Sequence, residues 1–154
     1  MSPERIKELL VEFGGSGEAG ACVVITRAKC PHTLSEAGAA NITWRDDVLS
    51  VSDLGSLDRC SLAIVFAQLE HLAKTDAVHL LAQLRDRYAE RTLVCDTQKV
   101  FTSAELLALG YIKLIRPSSG ERLFLHNPEE FFERREWNNS RDWANPANFD
   151  KFRW

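Results

Sequence analysis

LAIVFAQLEHLAKTDAVHLLAQLRDRYAERTLVC, residues 62–95, is the stretch whose reading decides the fold. Leu62-Ala63-Ile64-Val65-Phe66 is a continuous apolar run, the pattern of a strand covered on both faces. Thr75 offers an N-cap. Ala77, Leu80, Leu81, Leu84 and Tyr88 then follow at i, i+3, i+4, i+7 and i+11, which is one stripe of a helix. Thr92-Leu93-Val94-Cys95 is a second buried strand. Strand, helix and strand of this length make a parallel crossover, and a parallel crossover makes an α/β domain.

Composition bounds what such a domain does. The chain has 154 residues, 45% of them hydrophobic, enough for one domain with a real core. Its net charge is −3 and its pI about 5.8, which disfavours a whole-surface nucleic-acid binder. No apolar run approaches the ~20 residues of a membrane span. Met1-Ser2-Pro3-Glu4-Arg5 contains no apolar signal region, so a cytoplasmic location is the expectation. Cys22, Cys30, Cys60 and Cys95 include no C-x-x-C pair, and reduced thiols are expected.

On the N-terminal side, Ser2-Pro3-Glu4 starts a helix that Ile6, Leu9, Leu10 and Phe13 continue, and Gly14-Gly15-Ser16-Gly17 stops it. Residues 21–26 and 41–45 read as strands, with a short helix within 34–40 and a polar loop over 48–58. On the C-terminal side, Thr102-Ser103-Ala104-Glu105 is a capping box, with Leu106, Leu107 and Leu109 supplying apolar content and Gly110 the stop. Residues 111–115 and 122–126 flank Pro117-Ser118-Ser119-Gly120 as an antiparallel hairpin. Asn127-Pro128-Glu129-Glu130 opens a further helix containing Phe131 and Phe132. The expected architecture is therefore α/β and Rossmann-like: a mostly parallel sheet with helices on both faces, closed by the hairpin. Residues 1–136 form the domain and 137–154 a tail.

From residue 44 to residue 126 the order of elements resembles the second half of class I S-adenosylmethionine-dependent methyltransferases. Three matches carry the resemblance: Leu69-Glu70-His71-Leu72 after an apolar strand, Asp47-Val48-Leu49 after the 41–45 strand, and a capped helix, a glycine and a hairpin closing the sheet. The resemblance implies that Asp47 accepts a hydrogen bond from the adenine amino group. It also implies a glycine loop through which the backbone approaches the cofactor, and Gly14, Gly15 and Gly17 are the glycines available.

The cofactor half departs from the family pattern. If the glycines form the loop, only residues 18–20 separate it from the next strand, too few for the usual helix. That strand would then end in Thr26-Arg27, and an arginine cannot accept hydrogen bonds from ribose hydroxyls. If instead residues 3–13 are a leading helix and 21–26 the first strand, the following loop, Arg27-Ala28-Lys29-Cys30-Pro31, has no glycine. The second correspondence is favoured by the strength of the 2–13 helix signal. Either way a cofactor-deficient relative that works as a binding or interaction module is expected, with no cofactor. The alternative is an active S-adenosylmethionine-dependent methyltransferase acting on a small molecule.

Other residues are weaker candidates. Gly14–Gly17 also serves as a plain helix terminator, and Asp46 and Asp47 as a solvated turn. Cys30-Pro31-His32 lacks a second ligand pair for a metal. Glu70 and His71 follow a strand end, where a histidine is a candidate general base, but no activating partner is evident. In the tail, Trp137, Trp143, Phe149, Phe152 and Trp154 alternate with Arg141, Lys151 and Arg153. Their spacing suits a strap packing on the domain. A protein partner is the second use and nucleic acid the third.

Overall fold

The apolar runs become strands because buried backbone must pair, and a run apolar on both faces pairs in a sheet interior. In the computed structural model, which describes residues 3–13, 21–27, 42–48, 50–114 and 122–131, one mixed sheet organises the chain. Its strands are β1 (Cys22–Ile25), β2 (Ile42–Arg45), β3 (Cys60–Phe66), β4 (Ala89–Cys95), β5 (Ile112–Leu114) and β6 (Leu123–His126), in the order β2-β1-β3-β4-β6-β5. β1 is parallel to β2 and β3, and β3 is parallel to β4. β6 is antiparallel to both β4 and β5. The helices are α1 (Pro3–Phe13), α2 (Lys74–Gln83), α3 (Ser103–Ala108) and α4 (Pro128–Phe131). The fold is α/β, and the hairpin is where the sequence places it.

Strand alternation divides the core in two. Val23, Ile25, Ala63, Val65, Val94 and Phe124 pack with Ala77, Leu80 and Leu81 of α2 and Leu106 of α3. Val24, Leu62, Ile64, Phe66, Leu93 and Leu125 pack on the other face with Ile6 and Leu9 of α1. Leu62, Ala63, Ile64 and Val65 have no exposed surface. Each large member of such a run contributes about 1.5–3 kcal/mol by burial.

Local chemistry sets the helix ends. Thr102 Oγ1 accepts from Glu105 N at 3.2 Å while Glu105 Oε2 accepts from Thr102 N at 2.8 Å, so the capping box forms. Gly110 ends α3 at φ +84°, a conformation that glycine adopts without strain. Tyr111 then donates its hydroxyl to Leu81 O at 2.9 Å and ties the hairpin to α2.

Four local expectations are corrected. The cap of α2 is Ala73, extended and without a side-chain bond, and Thr75 lies inside the helix. The 48–58 segment is not simply a polar loop. It contains a 3-10 helix, Val51–Ser56, in which Asp53 accepts from Ser50 N at 2.7 Å, and Val48 and Leu54 are buried in the core. Leu107 is 57% exposed, because a six-residue helix presents only one face to the sheet. The helical stripe from Ala77 to Tyr88 is one surface but two helices: α2 widens into a π turn, Leu84–Tyr88, with both of its end residues buried.

The Gly14–Gly17 loop, Cys30-Pro31-His32, the 34–40 helix, the hairpin turn and the 137–154 tail lie outside the described residues. No helix among the described residues is long and apolar enough to cross a membrane.

Candidate functional site

Strand order fixes where to look. The chain steps from β1 outward to β2, then returns past β1 to β3, so the order reverses between β1 and β3. In open α/β sheets, ligands bind outside the carboxyl ends of the strands at such a reversal. Here those ends carry Thr26-Arg27, Asp46-Asp47-Val48 and Ala67-Gln68.

The backbones stay together past the strand ends. Thr26 N donates to Arg45 O at 3.0 Å and Arg27 N to Ala67 O at 3.3 Å. Ala67 adopts φ +48°, a left-handed conformation that costs a residue with a Cβ about 1 kcal/mol. The next side chain, Gln68, has no exposed surface. Its Nε2 donates to Val48 O, so the segment after β3 is tied to the segment after β2, with β1 between them in the sheet. Its Oε1 is buried with no hydrogen-bond partner among the described residues.

Asp47 stands beside this bridge, exposed but engaged. Arg45 donates to its two carboxylate oxygens at 2.7 and 3.3 Å. The same guanidinium reaches Asp53 O at 3.0 Å and Ser56 Oγ at 3.3 Å, which clamps the 3-10 helix to the end of β2. Arg45's hydrogen bonds hold the Asp47 carboxyl below its ordinary pKa. Asp47 is therefore an ionised acceptor with lone pairs partly taken by its own neighbour.

At the end of β4, Asp96 is 2% exposed. It accepts from Val100 N at 2.8 Å, Phe101 N at 3.3 Å and Arg122 Nη1 at 3.2 Å. Arg122 also donates to Phe101 O at 3.1 Å. This carboxylate is used up in closing a loop.

The remaining candidates do not converge. Leu69 is buried, but Glu70 and His71 are exposed, on a single 3-10 turn, and neither side chain contacts another described residue through a hydrogen bond or ion pair. Cys22, Cys60 and Cys95 are buried. Burial pushes the Cys60 thiol up to about 11 and raises Cys22 as well, the opposite of an activated nucleophile. Among the described residues no group of three His, Cys, Asp or Glu is arranged to hold a metal ion. Gly14, Gly15 and Gly17 follow α1 rather than a strand.

Sequence reasoning reached Asp47 but missed Gln68, Arg45 and Asp96. Gln68 carried a signal: it is the one amide in an otherwise apolar approach to Leu69. Asp96 carried none, since its side-chain partner Arg122 lies 26 residues downstream.

No curated protein and no solved structure matches the chain. A family model does match, over residues 7–154, and thus spans all six strands, the arginine and acid clamps at their ends and the aromatic tail: the chain belongs to a family of unknown function, DUF6231.

Proposed function

We propose that the chain is a Rossmann-like, methyltransferase-like domain without a working cofactor crevice, serving as a binding or interaction module. The observation that carries this reading is the closed strand-order reversal. A crevice there requires the chains after β1 and β3 to part, yet Arg27 N and Ala67 O are hydrogen-bonded and Gln68 bridges onward to Val48. The helical state of residues 3–13 supports the correspondence in which 21–26 is the family's first strand, and that correspondence leaves no glycine in the loop after it. The antiparallel hairpin after a capped helix and a glycine supports the methyltransferase likeness itself. A protein partner at the 137–154 tail belongs to the same proposal.

The exposed, ionised Asp47 favours the second reading, an active S-adenosylmethionine-dependent methyltransferase. Calorimetric titration with S-adenosylmethionine and S-adenosylhomocysteine, with thermal unfolding alongside, separates the two. A ligand at 100 times its Kd adds about 2.7 kcal/mol to stability. No heat and no shift at millimolar ligand is the expected result. An exotherm and a shift, both lost in Asp47→Ala, overturn the cofactor-deficient reading.

A further inference from the structure

The opposite edge of the sheet holds a cleft of about 440 Å³, lined by four arginines, Arg59, Arg85, Arg87 and Arg91, together with Asp86, Glu90, Asn127 and Glu129. Arg59 precedes β3, Glu90 and Arg91 open β4, and Asn127 follows β6, so the cleft lies at the amino ends of β3 and β4, away from the strand-order reversal.

The four guanidiniums are not equivalent. Arg85 is committed. It donates to Asp86 at 2.6 and 2.9 Å and to Leu109 O at 2.6 Å, so this pair forms a neutral wall pinned to the end of α3. Arg59, Arg87 and Arg91 have no carboxylate partner among the described residues. Arg87 lies over the Tyr88 ring at 5.4 Å, which steadies the guanidinium plane and leaves its N–H edge available. In a chain of net charge −3, three unpaired guanidiniums facing one cleft are a local exception.

The π turn builds this arrangement. Leu84 and Tyr88 are buried, and Arg85, Asp86 and Arg87 between them line the cleft. π turns are rare and occur disproportionately at functional sites.

We propose that this cleft binds a small phosphorylated molecule with a hydroxyl-bearing body. A phosphate presents three oxygens and a double charge, which three guanidiniums match better than they match a single carboxylate. The volume falls in the range of small-molecule sites and exceeds what a bare phosphate fills. Glu90, Glu129 and Asn127 supply acceptors for the hydroxyl groups of the body. The same two carboxylates oppose an extended polyanion, which excludes a nucleic-acid backbone. This site goes beyond the reading of the reversal and does not depend on it, since S-adenosylmethionine titration probes the other edge.

The test is thermal unfolding and calorimetry of the full chain at low ionic strength. The probes are glucose 6-phosphate, inorganic phosphate, glucose and citrate. The expected result is a rise in Tm with millimolar glucose 6-phosphate that exceeds the rise with phosphate, and none with glucose. Affinity falls at least tenfold in the Arg87→Gln, Arg91→Gln double variant. Arg59→Gln, at an exposed position before β3, gives the same direction of change if the double variant does not fold. No shift with glucose 6-phosphate overturns the proposal, as does a shift that persists in the folded variants. A larger shift with citrate overturns the assignment to phosphate.

Discussion

The two edges of the sheet use polar side chains in opposite ways. At the carboxyl ends of the parallel strands, Arg45, Gln68, Asp96 and Arg122 direct their hydrogen bonds to neighbouring protein groups: Asp47, Val48, Phe101 and one another. At the amino ends of β3 and β4, Arg59, Arg87 and Arg91 face a cleft with no carboxylate partner among the described residues. Polar groups satisfied internally stabilise the fold and leave little for a ligand, whereas charges left without partners add little stability and remain available. At the ends where an α/β sheet ordinarily binds, these four side chains are committed to protein partners.

Mutation breaks this comparison most sharply at Asp96. Asp96→Ala removes one carboxylate and leaves two backbone N–H groups and Arg122 without their acceptor, at a cost of about 3 kcal/mol in denaturant unfolding. Gln68→Ala loses the bond to Val48 and leaves a small cavity, at a cost of about 2 kcal/mol by the same measurement.

A smaller effect separates surface charge from buried charge. Glu105 is held down to about 2, first by Lys74 at 2.6 Å and then by the cap at Thr102. Its folded pKa lies below its ordinary value, so its contribution is present above pH 4.5 and is lost as pH falls towards 2. Glu105→Gln therefore lowers Tm at pH 6, and the gap to the parent chain narrows by pH 3. Because the pair is exposed, added salt shrinks the gap at pH 6 as well. The smallest effect is expected at the cleft: Arg87→Gln changes stability by less than about 0.5 kcal/mol. A loss comparable to that of Gln68→Ala would show that the cleft arginines are structural and remove the contrast between the edges.

The strands, the two longer helices and the capping box were legible because each is written in contiguous residues. Residues 62–66 and 93–95 are apolar throughout, and Thr102 and Glu105 stand at the spacing that a capping box requires. The π turn was not legible, since Leu84 and Tyr88 stand at i and i+4, as an α-helix also allows. Leu54 sits alone between polar residues, and only its tertiary neighbours show it to be core. The sites were less legible still. Gln68 depends on Val48, and Asp96 on Arg122, while the cleft gathers arginines from before β3, the π turn and β4. Asp47 was found because a resemblance pointed to it, while Arg45, two residues upstream and donating to its oxygens, was read only as a strand residue.

β3, α2 and β4 occupy consecutive residues, and β3 and β4 lie in the middle of the sheet. Among the described residues, every other strand attaches on one side or the other of this pair: β1 and then β2 beside β3, β6 and then β5 beside β4. Contacts within residues 60–95 close short loops, so they are expected to form early, with the flanking strands condensing onto them. Amide protons of β3 and β4 are accordingly expected to exchange last, through global opening alone, while β2 and β5 at the margins exchange through local fraying.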